Sequence, residues 1–166
     1  MADPTRPSFP ALLASNAALL SVAAWVGSLW GVGFLAVPVL FYAQPDKMLA
    51  GMLAGHMFTL VAYTGLACAG YLLAYLAVRF GRQAVRQPTF AIVCAMLALV
   101  LASPFLLQPE MAALKALALP HDVMQSPYAA RFDRLHHIAS SLYIVKCLLG
   151  VLLVIKSKTL LIFRAA

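Results

Sequence analysis

The chain has 166 residues, 64% of them hydrophobic and 10% charged, with a formal charge of +7 and a mean hydropathy of +0.92. Soluble domains carry roughly 45–50% apolar and 25% charged residues, so this composition excludes a water-soluble globular enzyme and identifies a membrane chain. At about 20 apolar residues per span there is room for four or five helices and no separate soluble module.

In chain order, the first apolar run extends from Ala11 to Tyr42 and is nearly free of charge. It predicts a tilted span at about 14–42, interrupted near Pro38. MADPTRPSFP carries a single Arg and the run far exceeds an ordinary signal h-region, so a retained helix is expected and not a cleaved leader. AQPDK at 43–47 reads as a tight turn, with Pro45 at the first helical position of a second span (about 46–79) and Asp46 favoured by the positive helix end. RFGRQAVRQP at 79–88 breaks the pattern, and a third span follows at about 88–107.

The connection 108–133 is the one long link. PEMAALKALAL places Met111, Leu114 and Leu117 at helical spacing with Lys115 off that stripe, which predicts a short amphipathic helix in the interface. SPYAARF restarts a helix with Ser126 as N-cap and Pro127 behind it, leading into a fourth span at about 134–156.

The distribution of Lys and Arg sets the orientation. The N-terminus, the 79–88 loop and the tail hold Arg6, Arg79, Arg82, Arg86, Lys156, Lys158 and Arg164. The other side holds Lys47, Lys115, Arg131 and Arg134, diluted by Asp46, Glu110, Asp122 and Asp133. Both termini are therefore expected in the cytoplasm, and the positive charge needs no nucleic-acid partner. Cys68, Cys94 and Cys147 stand singly in apolar runs, which argues against a disulfide framework or a structural zinc site and for small core residues. Trp25 and Trp30, well inside the first span, read as core residues too. Gly27 with Gly31, and Gly51 with Gly55, form two GxxxG pairs; they suit packing of the first two spans on each other, or a dimer face.

The candidate chemistry lies in FDRLHHIASSLYIVKC at 132–147. At about 100° per residue, Ser140, Tyr143, Cys147 and Gly150 share a face with His136, while His137 points elsewhere. On the second span, Met52, Thr59, Tyr63, Ala67 and Gly70 lie within about 60° of His56, with Met48 about 80° off. His56 and His136 stand at similar depth, so they are expected to meet in an outward-facing pocket with Thr59, Tyr63, Ser140, Tyr143 and Lys146. Three readings compete: axial ligation of haem b by the two histidines, or Cu(I) on Met48, Met52 and His56; a polar network that fixes packing; or a small wet transport path. Lys146 sits halfway down the fourth span with no Asp or Glu inside any span to pair with it. No nucleophile with an oriented base, paired carboxylates or phosphate loop is present, which leaves enzymatic activity conceivable only as redox chemistry.

WVGSLWGVGFLAVPVLF (25–41), AGMLAGHMF (50–58) and RFDRLHHIASSLY (131–143) resemble, in order and spacing, the domain of unknown function 4149 family, whose eukaryotic members include transmembrane protein 205. The resemblance implies a four-helix integral membrane protein without an established activity. It maps Pro38 and Phe41 to the close of helix 1, Ala50, Gly51 and Phe58 to the start of helix 2, and Phe132, Leu135, His136 and Ser140 to the start of helix 4. Where the family pattern has Ser three residues and Asn seven residues after the histidine, this chain has Ala139 and Tyr143, with Ser140 beside the first. A second resemblance, through WVG and Pro38, is to the copper-resistance membrane domain.

The expectation is an all-α, integral membrane four-helix bundle with a short interfacial helix between spans three and four, placed in the bacterial cytoplasmic membrane. Its expected role is that of an accessory or small transport-related protein, with the bilayer, a second copy or another membrane protein as partner. The rival is a haem- or copper-binding redox or metal-homeostasis protein using His56 and His136.

Overall fold

The computed structural model describes residues 8–102, 107–119 and 121–161. Helix α1 runs from Phe9 to Trp30, passes through a π-helical stretch at Gly31–Ala36, and continues as α2, Val37–Ala43. The π stretch is the interruption expected near Pro38. A proline has no N–H and its ring crowds the carbonyl four residues back, and a shift to i→i+5 bonding relieves both. The Val37 N–H accordingly donates to the Val32 carbonyl.

Helix α3 spans Lys47–Phe80. Pro45 lies before it and not at its first position; Asp46 is the N-cap, its carboxylate accepting from the Met48 and Leu49 amides at 2.9 and 3.1 Å. This geometry satisfies two of the four amides a helix start leaves unpaired. Across the same turn Lys47 Nζ donates to the Phe41 and Gln44 carbonyls at 2.6 and 3.1 Å, closing the end of α2. Gly81 ends α3 with φ of 52°, a left-handed conformation that side chains disfavour, and a 3-10 stretch Gly81–Arg86 follows.

Helix α4, Pro88–Ala102, is about 22 Å long at 1.5 Å per residue. Residues 103–106, which include most of the remainder of the third expected span, lie outside the described residues, as do Arg6 and Arg164. Helix α5, Gln108–Ala118, is the expected amphipathic segment. Leu114 and Ala118 are buried with Val123 against Phe132 and Leu135, whereas Leu117 is exposed. Helix α6, Ala129–Lys156, begins three residues after Ser126. Ser126 Oγ instead caps the preceding turn, donating to the Val123 carbonyl at 2.7 Å and accepting from the Tyr128 amide at 3.2 Å.

No strand occurs among the described residues, and three helical stretches, Phe9–Ala43, Lys47–Arg86 and Ala129–Lys156, are long and apolar enough to cross a membrane. With the shorter apolar α4 they form an all-α membrane bundle. Neighbours around the ring are α1 with α3, α3 with α4, α4 with α6 and α6 with α1, which leaves α3 and α6 on a diagonal.

Close approach relies on single glycines. Trp25 is fully buried with its Nε1 2.6 Å from where a Cβ on Gly65 would stand, and Val26 and Met96 close on Gly150. Trp30 differs from Trp25: it is 43% exposed and tilts against Phe34 at 5.1 Å. Of the cysteines, Cys147 is buried and Cys68 and Cys94 are half-buried; all three are free. The main core cluster draws from Ala18 to Leu29 on the first helix and stops there: no residue of 31–43 is buried.

Candidate functional site

His56 and His136 are both exposed, and they sit on the diagonal helices. The face that His56 shares with Met52 and Tyr63 is turned away from the bundle, Met52 being 53% and Tyr63 65% exposed; Met48 is 54% exposed. Thr59 and His56 bond within their own helix, Thr59 Oγ1 donating to the Gly55 carbonyl at 2.9 Å and His56 Nδ1 lying 3.1 Å from the Met52 carbonyl. His136 stacks on Phe132 with ring centroids 6.2 Å apart, and Ser140 is exposed. On α3 the face that helical spacing gives to His56, Met52 and Tyr63 is the one turned away from the bundle. Ala50, Ala54, Val61, Gly65 and Ala69 form the buried face of α3, because in lipid small size and not polarity selects the face that packs. Among the described residues no three His, Cys, Asp or Glu side chains gather at one point. The Met48, Met52 and His56 stripe therefore opens away from the bundle, and His56 and His136 stand on helices that are not neighbours around the ring.

The two GxxxG pairs show the same displacement. A Cβ added at Gly27, Gly31 or Gly55 would meet nothing within 4 Å, and at Gly51 only Phe41 at 4.0 Å. Contact between the first two spans runs through Trp25 and Gly65 instead.

What the fold does assemble is a polar centre around Tyr143 and Lys146. Phe58 lies two residues beyond His56, about 200° round the helix, and reaches across the diagonal to meet Tyr143 edge-on at 5.1 Å. The Tyr143 hydroxyl donates to the Leu29 carbonyl at the start of the π stretch, with the Gly33 amide beside the same oxygen. Gly33 is required by this contact, since a side chain there would collide with the Tyr143 ring. In an α-helix the amide of residue 33 would bond the carbonyl of residue 29; here a side chain from another helix has taken that carbonyl. Beneath the ring lies Lys146, 8% exposed, its Nζ 5.5 Å from the Tyr143 centroid. Among the described residues the amine makes this cation–π contact and has no hydrogen bond or ion pair. Cys147 is buried alongside.

The described acids are committed elsewhere. Asp46 and Asp122 cap turns, Glu110 pairs with Arg131 at 2.9 Å, and Asp133 lies 3.5 Å from His137.

A second polar cluster, at the other end of the bundle, escaped sequence reasoning. The Leu160 carbonyl accepts from Ser15 Oγ at 2.9 Å, the Tyr75 hydroxyl at 2.7 Å and Arg79 Nη1 at 2.7 Å, while Arg79 Nη2 donates to the Leu161 carbonyl at 2.7 Å. Tyr71 adds a bond to the Ala14 carbonyl at 3.0 Å. These groups bind the 3-10 stretch Ser157–Leu160 to α1 and α3. The spacing of Tyr71, Tyr75 and Arg79 at i, i+4 and i+8 was the available signal, one polar stripe on the last turns of an apolar helix.

No curated protein and no solved structure matches the chain. A family model described as a domain of unknown function, DUF4149, matches residues 20–119, from the middle of α1 through α5, and ends before the 131–143 block. That match spans more than half of the sequence, and together with the apolar four-helix architecture it assigns the chain to the DUF4149 family of domains of unknown function.

Proposed function

We propose that this is a four-helix protein of the bacterial cytoplasmic membrane, with both termini cytoplasmic, that serves as an accessory or small transport-related protein through the Tyr143–Lys146 centre. The orientation rests on the concentration of Lys and Arg at the 79–88 loop and the tail, which the positive-inside rule places in the cytoplasm. The functional reading rests on one observation: Lys146 is buried in the bundle, 8% exposed, without an acidic partner among the described residues. An ionisable group at such a depth is costly and is characteristic of ion, proton or solute pathways. Packing alone does not call for it, since a methionine would fill similar space.

The test is solute movement in vesicles. Purified protein is reconstituted into liposomes, and pH-gradient decay and chloride efflux are followed beside Lys146→Met and protein-free controls. Flux above the protein-free rate that falls at least tenfold in Lys146→Met supports the reading. Equal flux in wild type, variant and empty liposomes removes the transport half and leaves a non-conducting accessory.

A further inference from the structure

We propose that the end of the bundle formed by the 81–86 stretch and the tail binds the phosphodiester headgroup of an anionic phospholipid, with Arg86, Lys156 and Lys158 on the phosphate and Val85 and Ile155 beside the hydrocarbon. The site is separate from the Tyr143–Lys146 centre and needs neither that centre nor an assigned orientation of the chain.

The distribution of charge carries the first step. At the end holding the 43–47 turn, α5 and the start of α6, Lys47, Lys115, Arg131 and Arg134 are matched by Asp46, Glu110, Asp122 and Asp133. Lys146 aside, the whole excess of the +7 chain therefore falls at the opposite end. There Arg79, Arg82, Arg86, Lys156 and Lys158 meet no acidic residue among the described ones. The flanking segments do not offset them, since residues 1–7 and 162–166 bring Arg6 and Arg164 against Asp3 alone. Like charges held together repel, and an anion seated between them removes that cost.

Packing makes one face of two segments far apart in sequence. Thr89 Oγ1, in the first turn of α4, donates to the Lys156 carbonyl at 3.5 Å and joins the end of α6 to the segment carrying Arg86. Arg79 donates to the Leu160 and Leu161 carbonyls at 2.7 Å, which fixes the stretch carrying Lys158 against α3. Ala84 is buried, and its 3-10 stretch packs on both α3 and α4. Arg82, Arg86, Lys156 and Lys158 stay exposed on this held framework.

The neighbours of these cations set the class. Arg86 and Lys156 each follow an exposed aliphatic residue, Val85 and Ile155, on a bundle whose spans are long and apolar enough to cross a membrane. Cations bordering exposed hydrocarbon match an amphiphile in which a phosphate is joined to acyl chains, and basic clusters at the ends of spans attract anionic headgroups. A soluble acidic protein would leave the aliphatic border without a counterpart. Arg86 offers a fork to two phosphate oxygens, and the lysines add point charges.

The experiment counts bound lipid. The full chain, stripped of lipid in a non-ionic detergent, is titrated with phosphatidylglycerol or phosphatidylcholine of identical acyl chains and read by native mass spectrometry. The expected result is saturable binding of phosphatidylglycerol at least about tenfold tighter than of phosphatidylcholine. That preference should be lost in the triple variant Arg86→Gln, Lys156→Gln, Lys158→Gln. It should survive in Lys115→Gln, Arg131→Gln, Arg134→Gln, which removes as many cations from the other end. Should the first triple variant fail to fold, Arg86→Gln alone carries the test, with a several-fold loss. Equal affinity for the two lipids, or an equal loss in both triple variants, overturns the proposal. Displacement of the lipid by inorganic phosphate would assign the face to a free anion, and binding of poly-glutamate in place of lipid would assign it to a soluble acidic partner; either result overturns it as well.

Discussion

Trp25 occupies the space that Gly65 leaves open: a Cβ at position 65 would stand 2.6 Å from the indole Nε1 and 3.1 Å from Cε2. Trp25 is fully buried and has no room to retreat. Gly65→Ala is therefore expected to destabilise the bundle by about 1–3 kcal/mol, the range for forcing extra carbon into a packed interior. Gly55→Ala, on the same helix with nothing within 4 Å, should stay within about 0.5 kcal/mol of wild type. Unfolding in mixed detergent micelles checks both; equal effects would mean that the two spans do not pack through this contact.

Tyr143→Phe keeps the ring against Phe58 and removes only the donor to the Leu29 carbonyl. The expected loss is about 0.5–1.5 kcal/mol, with faster amide exchange confined to the 29–37 stretch. Unchanged exchange there would show that the π stretch is held by Pro38 alone.

Arg79 donates to two carbonyls of the tail, and a lysine cannot reproduce that fork. Arg79→Lys should therefore release the 157–161 segment and leave the spans intact. Limited proteolysis reads this as cleavage several-fold faster after residue 156, with an unchanged core fragment. A tail equally protected in the variant would assign its anchoring to Ser15 and Tyr75.

His56→Ala and His136→Ala each remove an exposed ring, so stability should change by less than about 0.5 kcal/mol. Absorbance spectra, oxidised and reduced, of protein expressed with haem and copper supplied check their other role. A Soret band or bound copper lost in either variant would restore these side chains as ligands.

The architecture was legible because length and hydropathy speak directly about bilayer spans. Asp46 could be recognised as a helix-start residue from its type and place, and the amphipathic α5 from the spacing of Met111 and Leu114. The inner faces were harder to read. In a soluble bundle the polar side of a helix is the outside, and in a membrane protein it is tempting to reverse that rule. The reversed rule fails for α3, whose polar residues His56 and Tyr63 point outward while Ala50, Ala54, Gly65 and Ala69 turn in. On α6 the reading improved with depth: His136 and Ser140 are exposed, yet Tyr143 engages helix α1 and Cys147 and Gly150 are buried. Lys146 was identifiable as an anomaly from sequence, but its position beneath the Tyr143 ring required coordinates. The grip of Arg79 on Leu160 joins residues 81 positions apart, beyond any local periodicity.

The hydrogen bond from Ser15 to Leu160 connects residues 145 positions apart, and that separation orders the birth of the molecule. Ser15, Tyr75 and Arg79 leave the ribosome long before residue 160 does, so the first two spans enter the bilayer with the partners of these side chains still unmade. Until the last span is inserted, hydroxyls and a guanidinium at the membrane border must be served by water or lipid headgroups. Completion of the fourth helix thus acts as a latch on helices already in place, and a chain stalled before residue 160 would present those donors at that rim of the bundle as the mark of an unfinished protein.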